Sequence, residues 1–253
     1  MAVPYEIGGG FVVRRRALFF PIFLFVGMWV VAHPDVSAAS GAETRYDVTA
    51  KGLTIGSVVT TQKASGEGGS AKHIRYENRT DVNASFLWLG FRSSTTERAE
   101  ILGGTLVGYA RKGDENGTPV QVDGRLAGEA FRFTVVKNGE RKTVTIPRSS
   151  YDHTTIECPE ATMGFGPDGK ATLRVLDTEY MTVVTRSYHL VKEDTCTVGG
   201  KEYRCRVVDF KDSNKTCRRW IGRDGDAVIL FRQDGKGKAG SYSVRAKELN
   251  RVL

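Results

Sequence analysis

From about residue 45 onward, the chain is interrupted roughly every ten residues by dipeptides suited to reversing direction, with no helical period between them. Lys51-Gly52, Gly103-Gly104, Asn116-Gly117 (closing Asp114-Glu115-Asn116-Gly117), Asp123-Gly124, Asn138-Gly139, Asp168-Gly169, Asp224-Gly225 and Asp234-Gly235 all have this form. Between them, apolar residues alternate with polar ones: Tyr46, Val48 and Ala50; Phe131, Phe133 and Val135; Val184, Arg186, Tyr188 and Leu190; Tyr242, Val244 and Ala246. Leu53 to Gln62 is a β-branched run, and Val144 and Ile146 return from the Asn138-Gly139 turn. A period of two broken by short turns predicts an all-β chain with minor helix: an antiparallel meander of about a dozen strands. So many strands must hide their edges, which predicts a strongly curved sheet or barrel-like half-barrel. An outer-membrane barrel is disfavoured, because charges interrupt the strands on both faces and the chain ends Arg251-Val252-Leu253 without a terminal aromatic residue.

One stretch breaks the alternation. Residues 147–169 carry three prolines, mixed polarity and no clean period, and are expected to form a long irregular excursion with one helical turn begun at Ser150 or Asp152. Such a segment could plug the concave face of the sheet.

The N-terminus differs in kind. Arg14-Arg15-Arg16 precede an apolar run from Ala17 to Ala32, then Val36-Ser37-Ala38. A basic region, an apolar core too short to span a bilayer and a small-residue site predict a cleavable signal peptide over residues 1–38. The remaining 39–253 read as one exported β-rich domain, periplasmic or secreted in a bacterium. The arginines leave both Sec and twin-arginine export open.

Export bears on the four cysteines, Cys158, Cys196, Cys205 and Cys217. An even count in an oxidising compartment predicts two disulfides, with three connectivities open. A zinc site is the poorer reading, because no C-x-x-C pair is present. A two-residue hairpin at Gly199-Gly200 sets Cys196 opposite Tyr203 and diagonal to Cys205, at the edge of disulfide reach. Pairing there is expected to need a bulge or a longer loop.

The formal net charge is +8, and residues 201–253 hold 14 basic against 7 acidic side chains. Such an excess suits solvated strand faces that discourage edge pairing, or an anionic neighbour such as a lipid headgroup. Motifs for chemistry are sparse. Ser149, Ser150, Asp152, His153 and Cys158 supply the vocabulary of acyl transfer, but no G-x-S-x-G elbow accompanies them, so a hydrolase using 149–158 ranks last. There is no phosphate-binding glycine loop, and no metal site or cofactor is expected. The most apolar segment beyond the signal is Phe86-Leu87-Trp88-Leu89-Gly90-Phe91. It reads as a doubly buried strand or as the lining of a cavity, with Phe86, Trp88, Leu89 and Phe91 the candidate contacts.

Several short motifs occur in a telling order. Tyr46 to Gly56 has the form Y-x-V-x-x-x-G-x-x-I-G; it is followed by Tyr76-Glu77-Asn78, Glu97 to Val107, Cys217-Arg218-Arg219-Trp220-Ile221-Gly222 and Val244 to Leu249. This order resembles a group of exported bacterial proteins of unknown function built as a long antiparallel meander. The resemblance implies a periplasmic β-rich domain akin to the curved-sheet carriers of lipoproteins or lipids, and it brings no catalytic residues. The expectation is therefore a monomeric, non-enzymatic binding or carrier module for an apolar or lipid-like ligand, meeting the membrane only through its signal peptide and binding no nucleic acid. A structural or assembly factor contacting another envelope protein is the alternative.

Overall fold

The computed structural model describes residues 40–65, 72–84, 91–237 and 240–252. The expected signal peptide, and Phe86, Trp88 and Leu89, lie outside them. The described residues form one sheet of fifteen strands. In chain order they are β1 (Ser40–Ala50), β2 (Leu53–Ser65), β3 (His73–Asn83), β4 (Arg92–Leu102), β5 (Thr105–Glu115), β6 (Thr118–Ala127), β7 (Ala130–Lys137) and β8 (Glu140–Pro147). There follow β9 (His153–Thr154), β10 (Lys170–Asp177), β11 (Thr182–Val198), β12 (Lys201–Lys211), β13 (Thr216–Asp224), β14 (Ala227–Gly237) and β15 (Gly240–Val252). Every pairing is antiparallel except the short β9–β10 contact.

The spatial order is β8 through β1, then β15 down to β9. First and last strands pair at the middle, and the two edges, β8 and β9, are neighbours in sequence. That connectivity dictates the curvature. Laid flat, fifteen strands would separate the edges by about 65 Å at the usual strand spacing. The chain from Pro147 to His153 reaches about 20 Å at most. The sheet must therefore curl until its edges approach, and it stays open because β8 and β9 do not pair. Register shifts at Arg45/Tyr46, Val48/Thr49, Glu100/Ile101, Leu190/Lys192 and Trp220/Ile221 supply local bends. The result is visible in the core: Leu176 of β10 packs in one cluster with Ile101, Leu106, Phe131 and Phe133 of β4, β5 and β7.

Most of the turns read from the sequence are present. Asn138 and Gly139 adopt φ of 53° and 78°, the left-handed pair a two-residue hairpin requires. Asp123-Gly124 and Asp234-Gly235 are not turns but lie inside β6 and β14. Both glycines face an aromatic ring on the neighbouring strand. A Cβ on Gly124 would meet the Phe131 ring at 2.6 Å, and one on Gly235 would meet the Tyr242 ring at 2.5 Å. Glycine serves there to admit a ring rather than to reverse the chain. The excursion also departs from expectation. Its helical turns are single 3-10 turns at Arg148–Ser150 and Pro159–Ala161, where Pro147 and Pro159 preset the backbone, rather than one turn begun at Ser150 or Asp152.

Candidate ligand cavity

The 147–169 excursion enters the curled sheet and is anchored by charge. Glu160 is fully buried and forms an ion pair with Arg219 of β13. The same guanidinium donates to Gln233 at 2.6 Å and lies 3.7 Å from the Cys158 sulfur. Arg206 donates to the Met163 carbonyl at 2.8 Å, so a backbone acceptor of the inserted segment is satisfied by a strand side chain. Met163 and Phe165 complete an apolar cluster with Tyr188, Val208 and Phe210. The excursion thus packs at both arms of the sheet, Met163 and Phe165 beside β11–β13 and Tyr151 and Ile156 beside β4–β7.

The opposite part of the interior is left as a space. At the end of the barrel carrying the 178–181 and 212–215 turns, two chambers adjoin. One, about 440 Å3, is walled by Val48, Ile55, Val58, Val82, Phe91 and Val244. The other, about 660 Å3, is walled by Asn78, Glu97, Arg111, Glu115, Asp177 and Thr178 among others. Thr80, Phe91, Glu179, Tyr180 and Lys215 border both, so an apolar chamber and a charged one adjoin across shared walls. Volumes of this order suit a small amphipathic molecule. A larger concavity of about 740 Å3 crosses the sheet past His189, Lys211, Arg218 and Lys236. Those four side chains are exposed and the trough is open along its length, so it cannot exclude water from an apolar guest.

The charged end is ordered by ion pairs. Arg186, 1% exposed, binds Asp212 at 2.8 Å and lies 4.0 Å from the buried Asp177, tying the 178–181 turn to the 212–215 turn. Lys215 reaches Glu179 at 3.0 Å and Asp177 at 3.7 Å. Glu115 takes Arg111 at 3.3 Å and Lys137 at 3.7 Å. Glu97 has no such cation. Its carboxyl accepts a 2.8 Å hydrogen bond from the Tyr109 hydroxyl and a 3.5 Å one from Thr178. Burial raises its pKa above the usual carboxylate range.

Of the four candidate lining residues, the described one, Phe91, borders both chambers. Its carbonyl accepts the Ala84 amide at 2.8 Å, and Ala84 and Phe91 both line the apolar chamber. The charge-bearing residues of the polar chamber were not singled out from sequence, though a signal existed. In β4, Glu97 shares the parity of Ser93, Ala99 and Ile101, all buried; an acid in the buried phase of an alternating strand must face the interior. Arg186, in phase with Val184 and Tyr188, is the same case.

The cysteines correct the two-disulfide expectation. Cys196 stands opposite Tyr203 and bonds diagonally to Cys205, with Cα atoms 6.3 Å apart. No bulge or longer loop is needed: the one register shift of this pair lies at Leu190/Lys192, and strand twist shortens one diagonal of a hairpin enough for the bond. Cys158 and Cys217 form no disulfide. Cys158 points its sulfur at Arg219 and the Thr155 carbonyl, whereas Cys217 points its sulfur at the Tyr242 hydroxyl, 3.8 Å away. Burial pushes the Cys158 thiol up to about 11, so it stays protonated. The 149–158 segment brings no nucleophile to a base. His153 pairs with Glu157 at 3.2 Å, and the Ser150 hydroxyl donates to the Pro147 carbonyl.

Fold and cavity together define an open, β-barrel-like protein with an inserted plug and an amphipathic interior. Among solved structures the chain is similar to a β-barrel-like protein of domain of unknown function DUF1849 from Brucella abortus. The two share 12% identity and a TM-score of 0.52 over 85% of this chain and 98% of that one. A protein of YmcC-like fold from Bacteroides fragilis aligns with 83% of this chain and 95% of its own at 12% identity, with a TM-score of 0.35 that is too low to argue from. The first likeness bears out the curved antiparallel sheet and its affinity to β-barrel-like proteins of unknown function. No protein-family profile and no curated protein matches the sequence.

Proposed function

We propose that this is an exported, non-enzymatic binding or carrier protein of the bacterial envelope, released by cleavage after Ala38, whose interior holds an apolar or lipid-like ligand. The observation that carries this reading is the apolar chamber between β1–β3 and β15, adjoining a charged one. A space lined by Val48, Ile55, Val58 and Val82 gains nothing from water and favours hydrocarbon. Phe86, Trp88 and Leu89 join Phe91 as its proposed apolar lining. Cys196–Cys205 suits an oxidising compartment.

The test is uptake of N-phenyl-1-naphthylamine, an uncharged fluorophore that brightens in apolar surroundings. The wild-type protein should enhance its emission. Val58→Trp, which fills the apolar chamber, should abolish the enhancement with little change in melting temperature. Absence of uptake by the wild type would sink the carrier reading. The assembly-factor alternative would then be the better one, supported by the unpaired outer edge of β8, whose Glu140, Arg141, Lys142 and Thr143 are all exposed.

A further inference from the structure

We infer that the charged chamber selects the ligand's head, and that the head it takes is a protonated amine held by Glu97. This rests on the reading of the interior as an amphiphile site, and it deepens that reading by naming the chemical class of the guest.

The argument is one of charge pairing. Each cation bordering the charged chamber already has a carboxylate: Lys215 has Glu179 and Asp177, while Arg111 and Lys137 share Glu115. An anionic head entering the chamber would have to compete with those carboxylates for the same cations. Carboxylates, by contrast, are in surplus. Among the described residues no cation forms an ion pair with Glu97, whose Tyr109 and Thr178 donors both address one oxygen, Oε1. The Asn78 side chain is a further hydrogen-bonding neighbour of this carboxyl, and both residues line the chamber. Asp177 adds a second acceptor. Its side chain is fully buried in the chamber wall, yet Oδ2 accepts no hydrogen bond, and Lys215 and Arg186 stand 3.7 and 4.0 Å away. An ammonium has three donors and one charge to bring to such a wall. Glu97 lies in the charged chamber, and the adjoining apolar chamber supplies the complement, hydrocarbon for the tail.

Glu97 is faced by Tyr76, Tyr109, Arg111 and Glu179, and burial favours its neutral form when the chamber is empty. An entering ammonium favours the ionised form, so amine affinity should fall as pH falls and Glu97 takes up its proton.

The experiment compares three C12 probes of one chain length: dodecylamine, dodecanol and dodecanoate, titrated below their micellar range. The wild type should bind the amine at least about tenfold tighter than the carboxylate, as expected for a charge-assisted pair. Glu97→Gln keeps an acceptor for Tyr109, and should bring amine and carboxylate to within about threefold. Equal or tighter wild-type binding of dodecanoate overturns the inference yet leaves the apolar site standing. Failure of all three probes overturns the underlying reading itself. An amine preference retained in Glu97→Gln overturns the assignment to Glu97. Should that variant not fold, the wild-type ratio of dodecylamine to dodecanol affinity from pH 8 to pH 4, where the amine stays protonated, decides: a ratio that falls as Glu97 takes up its proton upholds its role, and a pH-independent ratio overturns it.

Discussion

Between β4 and β7 the packed inward side chains are Ala99, Ile101, Leu106, Tyr109, Val122, Phe131 and Phe133, all buried, with Phe131 and Phe133 rings 4.8 Å apart; Glu97, Arg111 and Glu115 also face inward. Between β11 and β13 the inward set contains Arg186, Tyr188, Phe210, Cys217 and Arg219, with both guanidiniums lying over the Phe210 ring. The two arms obey one alternation and one fold, yet their inward charges serve different ends: Glu97, Arg111 and Glu115 of the first line the open chamber, whereas Arg219 of the second pairs with Glu160 of the insert. The difference follows from what each arm encloses. The first closes on its own side chains, on Leu176 and on Tyr151 and Ile156 from the start of the excursion. The second receives the later part of the excursion, whose carbonyls, such as that of Met163, cannot be buried without donors. Arg206, Arg219 and Glu160 are the polar groups that make an irregular insert tolerable inside a sheet.

The sharpest test contrasts one substitution in each arm by urea unfolding. Phe133→Ala in the first arm should cost about 3–5 kcal/mol through the cavity it leaves. Glu160→Ala, at the second arm, should cost a similar amount, about 3–5 kcal/mol, because Arg219 is left buried without its carboxylate. The arms should part company on rescue. Glu160→Leu combined with Arg219→Met should return to within about 1.5 kcal/mol of wild type, since a buried pair can be replaced by apolar groups of similar volume. A double variant as weak as the single one would mean that the pair does more than neutralise itself.

A smaller effect is expected at the β11–β12 hairpin. Loss of the Cys196–Cys205 bond, which closes a short loop, should cost about 2–3 kcal/mol. Thiol labelling after denaturation without reductant should modify Cys158 and Cys217 and spare the other two. Labelling of none would show that Cys158 and Cys217 pair in the native protein after all.

The smallest effect is a pH slope at Glu97. Its folded pKa lies above the ordinary value of 4.5, because of burial. Below that ordinary value both folded and unfolded chains hold the proton and the group contributes no difference. As pH rises toward the folded pKa, the unfolded chain loses its proton first, so wild-type stability falls. Glu97→Gln has no such loss, and its melting temperature relative to wild type should climb between pH 4 and pH 8. A flat difference would show that Glu97 ionises in the folded protein as readily as in the unfolded one.

The hairpins were legible because a two-residue reversal needs positive φ, and Asn-Gly supplies it at residues 138 and 139. Asp123-Gly124 and Asp234-Gly235 present the same letters for another purpose, and only the opposing Phe131 and Tyr242 rings reveal it. The cysteines divide in the same way. The Cys196–Cys205 pair is set by one hairpin, eight residues of chain between two strands. The fates of Cys158 and Cys217 depend on where the plug inserts relative to β13. At the site, Phe91 was visible as part of an apolar run, whereas Glu97, Asp177 and Lys215 come together only when the 178–181 and 212–215 turns reach the same rim.

By itself, then, the sequence determined the local grammar of this protein: strand parity, the turns that need left-handed residues, the break in pattern at 147–169 and the hydrophobic N-terminal segment. These are set by interactions within a few residues, where backbone sterics and alternation leave few choices. Tertiary structure decided how far the sheet curls, which glycines admit rings, which cysteines meet and which charges share a chamber. Each of those depends on strands far apart in the chain coming together. The curl itself follows from the pairing of β1 with β15, which leaves two consecutive strands at opposite edges and a tether too short to keep them apart.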